Sequence, residues 1–129
     1  MVEGIYHVWF STKGRKQALE GEVGDDAKRL LTETAQRTGI RLFEAEVAAD
    51  HAHLLLAVTA GQTLSSVMHE LKGASARAVF LKYPDLKIDL GHHSFWQKGY
   101  GFRKVDPKHI EMTRQYIRTQ TSRPLRHDQ

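Results

Sequence analysis

Two histidines, His51 and His53, stand one residue apart in the apolar stretch DHAHLLLAV, residues 50–58. Alternate side chains of a strand share a face, so both imidazoles and Leu55 project together, and Ala52, Leu54 and Leu56 point into the core. Imidazoles two residues apart, about 6–7 Å along the backbone, can converge on one metal ion. The alternative is a pair of hydrogen-bonded histidines on an open sheet face. A metal site also requires a third ligand.

The usual partners of such a histidine pair are missing from the sequence. A metal-dependent hydrolase with an H-x-H-x-D-H motif would have Asp and His at positions 55 and 56, where this chain has two leucines. His92 and His93 are adjacent, so on extended backbone they point in opposite directions, and we expect them to be surface histidines. Cysteine is absent, which excludes thiolate ligands and disulfides. A zinc-dependent hydrolase is therefore disfavoured.

Near the C-terminal end of the sequence, Tyr116 and Gln120 could complete the site. They are four residues apart in a predicted helix and so lie one turn apart on one face, beside a packing stripe of Ile110, Thr113 and Ile117. The alternative is that Tyr116 packs and Gln120 faces solvent.

The elements that must position these residues are predicted from periodicity and caps. The order is βαββαβ with a further C-terminal helix, which favours an α+β, ferredoxin-like or RRM-like fold: a four-stranded antiparallel sheet with two helices on one face. Asp25 or Asp26 is expected to cap the first helix and Gly39 to end it; Thr63 begins the second and Asp106 caps the last. The predicted strands are 5–12, 40–48, the histidine stretch and 95–105, the helices are 25–38, 63–82 and 107–121, and 83–94 is predicted as a loop.

Within two of these elements the pattern also predicts which side chains face inward. The second helix is predicted to bury Leu64, Val67, Met68, Leu71, Ala74, Ala78 and Leu81. Residues 40–48 alternate in register, which predicts a regular strand with one buried face.

Composition is that of one globular domain spanning residues 1–129, with 40% hydrophobic and 26% charged residues. No apolar run reaches the roughly 18 residues of a membrane span. The N-terminus also lacks the pattern of a secretory signal, so we expect a cytoplasmic protein without membrane association. Charge is uneven: residues 1–60 hold seven Lys/Arg against nine Asp/Glu, and residues 61–129 hold twelve against six. A basic second half can mark a face that binds polyanions, or simply a basic solvated surface.

Taken together, these motifs resemble the IS200/IS605 group of small single-tyrosine transposases of the HUH type. The resemblance covers nearly the whole chain: YHVWFSTKGRKQAL resembles the group's first strand and turn, HAHLLL its histidine strand, LKGASARAVFLKYPDL its second helix, FWQKGYGFRKV its fourth strand and QYIRTQ its Tyr-x-x-x-Gln helix. The KGR turn departs from the more usual aromatic-plus-basic turn, which bears on DNA-end preference rather than on chemistry.

The resemblance implies a set of roles. His51, His53 and Gln120 would bind Mg²⁺ or Mn²⁺, and Tyr116 would attack single-stranded DNA to form a 5′-phosphotyrosine, so that a break can be resealed to another strand. It also implies recognition of hairpins at element ends and a homodimer in which the tyrosine helix acts in trans. The candidates for DNA contact are Lys72, Arg77, Lys98, Arg103 and Lys104. Trp96 and Phe95 are candidates for stacking on an unpaired base, although core packing is expected for at least one of them. Tyr100, between two glycines, is the rival nucleophile, although its position favours a structural role or stacking on DNA.

Two further possibilities stay open at this point. One is a domesticated relative that nicks host palindromic repeats with the same residues. The other is a non-catalytic nucleic-acid-binding module on a ferredoxin-like sheet. Such modules often carry aromatic residues on the two central strands, whereas one predicted central strand here carries the histidine pair.

Overall fold

A four-stranded antiparallel sheet forms the centre of the computed structural model, which describes residues 3–90 and 94–121. In chain order the elements are β1 (Gly4–Ser11), α1 (Gly21–Thr38), β2 (Arg41–Val47), β3 (His51–Val58), α2 (Leu64–Lys82), α3 (Pro84–Asp89), β4 (Gly101–Val105) and α4 (Ile110–Thr121). The strands are ordered β2-β3-β1-β4, and each neighbouring pair is antiparallel. This is the predicted ferredoxin-like plan.

The two faces of the sheet carry cores of different size. The main core lies between the sheet and the pair α1 and α2, and β3 contributes Ala52, Leu54 and Leu56 to it, as predicted. A smaller core of Leu55, Val105 and Ile117 lies on the opposite face, beneath α4. The C-terminal helix therefore covers the sheet face on which the histidines project.

Several helix boundaries follow the predicted caps. The side chain of Thr63 accepts a hydrogen bond from Ser66 N, and the Ser66 hydroxyl accepts one from Thr63 N, which closes a capping box at the start of α2. Gly39 ends α1 in the left-handed conformation, where glycine carries no steric cost. Asp106 accepts from Lys108 N at the start of a 3-10 turn that leads into α4.

The first helix starts earlier than predicted. α1 begins at Gly21 rather than near residue 25, and both Asp25 and Asp26 lie inside it. Asp26 is therefore an interior residue of the helix, and its carboxylate pairs with Lys82 at 2.7 Å, with Arg29 at 3.2 Å and with the Tyr83 hydroxyl. Those bonds tie α1 to the end of α2.

Residues 83–105 also differ from the prediction. A short helix, α3, occupies part of the predicted loop, with Pro84 in its first turn, where a missing N–H costs nothing. Of the predicted strand 95–105, only 101–105 pairs as a strand. Trp96 makes one isolated bridge with Thr12, and Gly99, in the left-handed region, interrupts the extended chain.

Two side-chain patterns are corrected as well. The buried stripe of α2 continues through Ser75 and Val79, so Ala74 and Ala78 lie on its flank and Leu81 is 86% exposed. Ser75 can be buried because its hydroxyl donates to Leu71 O. In β2 the register shifts between Leu42 and Glu44, and the bulge interrupts the predicted regular alternation. No helix in the described ranges is long and apolar enough to cross a membrane.

Candidate active site

Three histidines meet on the α4 side of the sheet. In the antiparallel register His53 lies opposite Trp9 and His51 opposite Ser11, while His7 of β1 lies opposite Leu55. Because cross-strand partners share a face, His7 joins the predicted pair. All three imidazoles are buried, with 2% of His7, 3% of His51 and 8% of His53 exposed.

Hydrogen bonds fix one nitrogen of each ring. His7 Nε2 lies 3.0 Å from His53 Nδ1, and His51 Nδ1 lies 2.8 Å from the Asp50 carboxylate. The Nε2 atoms of His51 and His53, like Nδ1 of His7, are buried, yet they have no hydrogen-bond partner among the described residues. Buried polar nitrogens are normally paired, so this arrangement is typical of rings that present a lone pair to a ligand.

Burial also sets the charge of these rings. Desolvation, assisted by the Arg103 charge, lowers the pKa of His7 to about 4. Desolvation, together with the neighbouring His51, His7 and Arg103, lowers the pKa of His53 to about 3. Both imidazoles are therefore neutral near pH 7, which is the protonation state that binds a metal.

The histidines fit part of a divalent-metal site, and the remaining ligand must come from another residue type. In the part of the chain that the structure describes, no three His, Cys, Asp or Glu side chains are placed to hold an ion together. Gln120, one turn beyond Tyr116 on α4, is half-buried and carries an amide oxygen. Its role as the third ligand stays a prediction.

Tyr116 lies next to the histidines of its own chain. Its ring meets the His7 ring edge-on, with centroids 6.0 Å apart, and the Arg103 guanidinium carbon lies 5.4 Å from the Tyr116 ring centroid. The side chain is 44% exposed, so a substrate can reach it. The cation beside this phenol is Arg103 on β4, because the flanking Arg114 and Arg118 are bound elsewhere.

Those two arginines attach α4 to the edge strand of the sheet. Arg114 Nε donates to Glu44 at 3.2 Å, and Arg118 Nη2 donates to the same carboxylate at 3.1 Å. Burial by itself would raise the pKa of Glu44, but hydrogen bonds from Glu46, Arg118 and Arg114 outweigh it and hold the pKa below its usual value. Burial and the bond with Glu44 raise the pKa of Glu46. A half-buried carboxylate thus helps to position the tyrosine helix.

A cleft of about 210 Å³ opens beside His51 and His53. Its walls come from β1, from the 3-10 turn after it, from β3 and from the segment that leads into β4. Tyr100, the rival nucleophile, lines this cleft, so both tyrosines are near the histidines. The cleft residues are Trp9, Phe10, Ser11, Arg15, His51, His53, Gln97, Lys98, Gly99, Tyr100 and Gly101.

The predicted DNA contacts separate into two groups. Lys98, Arg77, Lys104 and Arg103 are exposed, and Lys98 lines the cleft, so these remain candidates. The Lys72 ammonium instead donates to two backbone carbonyls, those of Gln97 at 2.9 Å and Gly99 at 2.7 Å, which gives it a structural role in holding the cleft wall.

Trp96 cannot stack on a base as predicted. It is 3% exposed, its indole N–H donates to Ser75 Oγ at 2.9 Å, and it packs edge-on against Phe10 and Phe95, so no ring face is open to a base. Phe95 is fully buried as well.

Sequence reasoning missed His7 and Trp9, which both point to this site. Their signal was present in the sequence: they alternate on the first predicted strand and so had to share one face. Which face that was depended on the register with β3.

Comparison with known proteins identifies the family of this chain. The family model described as "Transposase IS200 like" matches residues 1–120. The ISDra2 transposase TnpA of Deinococcus radiodurans is 37% identical over 115 residues, which cover 89% of this chain and 82% of that protein. The transposase for insertion sequence element IS200 of Salmonella typhimurium is 34% identical, covering 89% of this chain and 75% of that protein.

Solved structures match as well. A crystal structure from Deinococcus radiodurans R1, assigned as a transposase, aligns with a TM-score of 0.74 and 35% identity over 93% of this chain and 92% of that one. A REP-associated tyrosine transposase bound to a REP hairpin aligns with a TM-score of 0.65 over 91% of this chain and 66% of that one; at 16% identity it supports the fold alone. The chain therefore belongs to the IS200-like family of single-tyrosine HUH transposases.

Proposed function

We propose that this transposase cleaves and rejoins single-stranded DNA through a covalent bond between Tyr116 and a 5′-phosphate, with a divalent cation held by His51 and His53. The observation that carries the proposal is the pair of buried Nε2 atoms without a partner among the described residues, next to an accessible phenol. Gln120 would add the third ligand. Mg²⁺ or Mn²⁺ would suit such a neutral ligand set with positions open to phosphate.

The residues have distinct tasks in this reaction. The Tyr116 oxygen attacks the phosphorus, the bond from phosphorus to the 3′-oxygen breaks, and the leaving strand ends in a 3′-hydroxyl after taking up a proton. A bound divalent cation would polarise the scissile phosphate. Arg103, whose guanidinium carbon lies 5.4 Å from the Tyr116 ring centroid, is the cation placed beside the nucleophile, where it would offset the charge of the incoming phosphate.

Covalent attachment makes the reaction reversible. The phosphotyrosine bond keeps the energy of the broken phosphodiester, so another strand's 3′-hydroxyl can attack it and release Tyr116. A water nucleophile would lose that energy. The chemistry therefore supports strand transfer rather than simple hydrolysis, and it sets this proposal apart from a binding module that lacks a nucleophile.

The substrate and the assembly belong to the proposal too. We propose hairpin-bearing single strands as the substrate, because a fold neighbour carries a DNA hairpin and because the second half of this chain is basic. We propose a homodimer in which α4 can serve the partner's histidines, although in this structure α4 lies on its own sheet. Because the enzyme must reach cellular DNA, we propose the cytoplasm as its location.

The test is adduct formation. Labelled single-stranded hairpin DNA from the element's ends is incubated with protein and Mn²⁺ or Mg²⁺, and a denaturation-resistant adduct is measured. We expect an adduct that depends on the metal, disappears in Tyr116→Phe and persists in Tyr100→Phe. An adduct that survives in Tyr116→Phe but disappears in Tyr100→Phe would assign the nucleophile to Tyr100.

Metal binding is measured separately, by titration with Mn²⁺. His51→Ala should abolish binding, Gln120→Ala should weaken it less, and His69→Ala, which alters an exposed histidine on α2, should leave it unchanged. Equal Mn²⁺ affinity of His51→Ala and the parent protein would refute the site.

The dimer proposal has its own test. If α4 acts in trans, mixing Tyr116→Phe with His51→Ala subunits restores adduct formation, because one site of the mixed dimer is then complete. If α4 acts only on its own sheet, as it packs in this structure, the mixture stays inactive.

A further inference from the structure

Trp9 is an aromatic side chain that is both fixed and exposed. It lies opposite Gly101 in the pairing of β1 with β4. A Cβ at position 101 would collide with the Trp9 indole, so only glycine lets the ring rest against the β4 backbone. The His7 ring lies beside it, with centroids 5.0 Å apart. Even so, 37% of Trp9 is exposed.

The cleft beside Trp9 is small and its rim is cationic. Its volume is about 210 Å³. That is below the roughly 300–1,000 Å³ of clefts that enclose drug-sized ligands, so it suits one flat group rather than a duplex. Arg15 and Lys98 line it. Arg15 is 39% exposed and lies 3.8 Å from Asp50, a long ion pair that leaves the guanidinium near solvent.

Gln97, another residue that lines the cleft, carries a polar amide. Its amide oxygen accepts from Gly14 N at 3.0 Å, which fixes the orientation of the amide. The Lys72 bonds to the carbonyls of Gln97 and Gly99 hold the same segment. An aromatic platform, rigid amide and flanking cations are the features with which proteins bind unpaired bases.

From this arrangement we infer that the cleft is a subsite for one unpaired nucleobase, stacked on Trp9, of the strand whose phosphate lies at the histidines. The inference rests on the proposed function for the identity of the ligand as single-stranded DNA. It transfers the stacking role expected of Trp96 to the other tryptophan, because Trp96 is buried and Trp9 is not.

The two tryptophans allow a direct measurement. A Trp96→Phe variant leaves Trp9 as the only indole, and adding Tyr116→Phe prevents covalent attachment. Its fluorescence, excited selectively over tyrosine, is titrated with a single-stranded hairpin oligonucleotide in EDTA. We expect saturable quenching that is lost when one nucleotide near the cleavage position is made abasic and persists with abasic sites elsewhere. Quenching that is unaffected by an abasic site at any position, or absent although the oligonucleotide binds, would refute the subsite.

Binding measurements on Trp9 variants test the subsite without relying on fluorescence. Trp9→Leu should weaken binding of the intact oligonucleotide roughly 5- to 150-fold, the range for losing one aromatic–base stack, and Trp9→Phe should recover part of that loss. Neither variant should change affinity for the oligonucleotide that carries the critical abasic site. Equal losses with the intact and abasic oligonucleotides would mean that Trp9 is structural only.

The outcomes separate this inference from the proposed function. If the fluorescence variant shows base-dependent quenching in EDTA but the parent protein forms no adduct with metal present, the subsite stands and the proposed strand cleavage is rejected. If the parent protein forms the adduct through Tyr116 but the fluorescence variant shows no base-dependent quenching, the proposed function stands and the subsite is rejected.

Discussion

Leu55→Ala should release the tyrosine helix while leaving the rest of the fold in place. Leu55 is fully buried and, with Val105 and Ile117, forms the small core under α4. Truncation removes three carbons, worth about 2.4 kcal/mol at ~0.8 kcal/mol for each, and an unfilled cavity brings the usual Leu→Ala cost to roughly 3 kcal/mol. α4 has only 12 residues. By itself it is therefore a marginal helix that depends on this contact.

Hydrogen exchange of the α4 amides measures this directly. A loss of roughly 3 kcal/mol should speed exchange by local opening about 100-fold. Leu54→Ala is the matched control, because Leu54 is the neighbouring residue on β3, equally buried, but faces the main core. It should destabilise the whole domain by a similar amount without selectively opening α4.

The comparison of the two variants is decisive. If the α4 amides exchange equally fast in Leu55→Ala and Leu54→Ala, then α4 opens only when the domain unfolds, and the small core is not what holds the tyrosine. If Leu55→Ala acts selectively, its adduct formation should also fall more than that of Leu54→Ala at a temperature where both proteins are folded.

Three further changes test the electrostatics and packing around the site. Glu44→Gln should lower the free energy of unfolding at pH 7 by about 1–2 kcal/mol, the scale of charged hydrogen bonds near a surface. The exposed Glu111→Gln should change it little, and the difference should vanish as acid protonates Glu44, whose pKa is depressed. If both variants lower the free energy of unfolding equally, the stabilising role of Glu44 is refuted. Asp26→Asn should lower the urea midpoint at pH 7; since the pKa of Asp26 lies below the usual range, the difference should persist below pH ~4 and close only in stronger acid. If the difference in urea midpoint already disappears near pH 5, the ion pairs of Asp26 are not its cause. Gly101→Ala should cost about 1–3 kcal/mol of stability and shift Trp9 emission, and an unchanged spectrum would refute the close packing.

Much of the fold could be predicted because local patterns carry it. The alternation of apolar residues places Ala52 and Leu54 on opposite sides from His51 and His53, and both placements hold. Thr63, Gly39 and Asp106 act at helix ends through bonds to residues within a few positions. Two of the errors, at the start of α1 and over 95–100, occur where residues contact distant parts of the chain. Asp26 pairs with Lys82, and Trp96 is buried in the core, where its indole N–H donates to Ser75.

The sequence by itself determined that two histidines share a strand face and that a tyrosine and a glutamine share a helix face. Only the tertiary structure decided what surrounds them. His7 and His53 are 46 residues apart, and their hydrogen bond exists because β1 and β3 pair in one register. The register of β1 with β4 places Trp9 opposite Gly101, where 37% of it stays exposed. A helical or strand period acts over a few residues, whereas register is set by packing of the whole sheet, so a single sequence pattern cannot specify it.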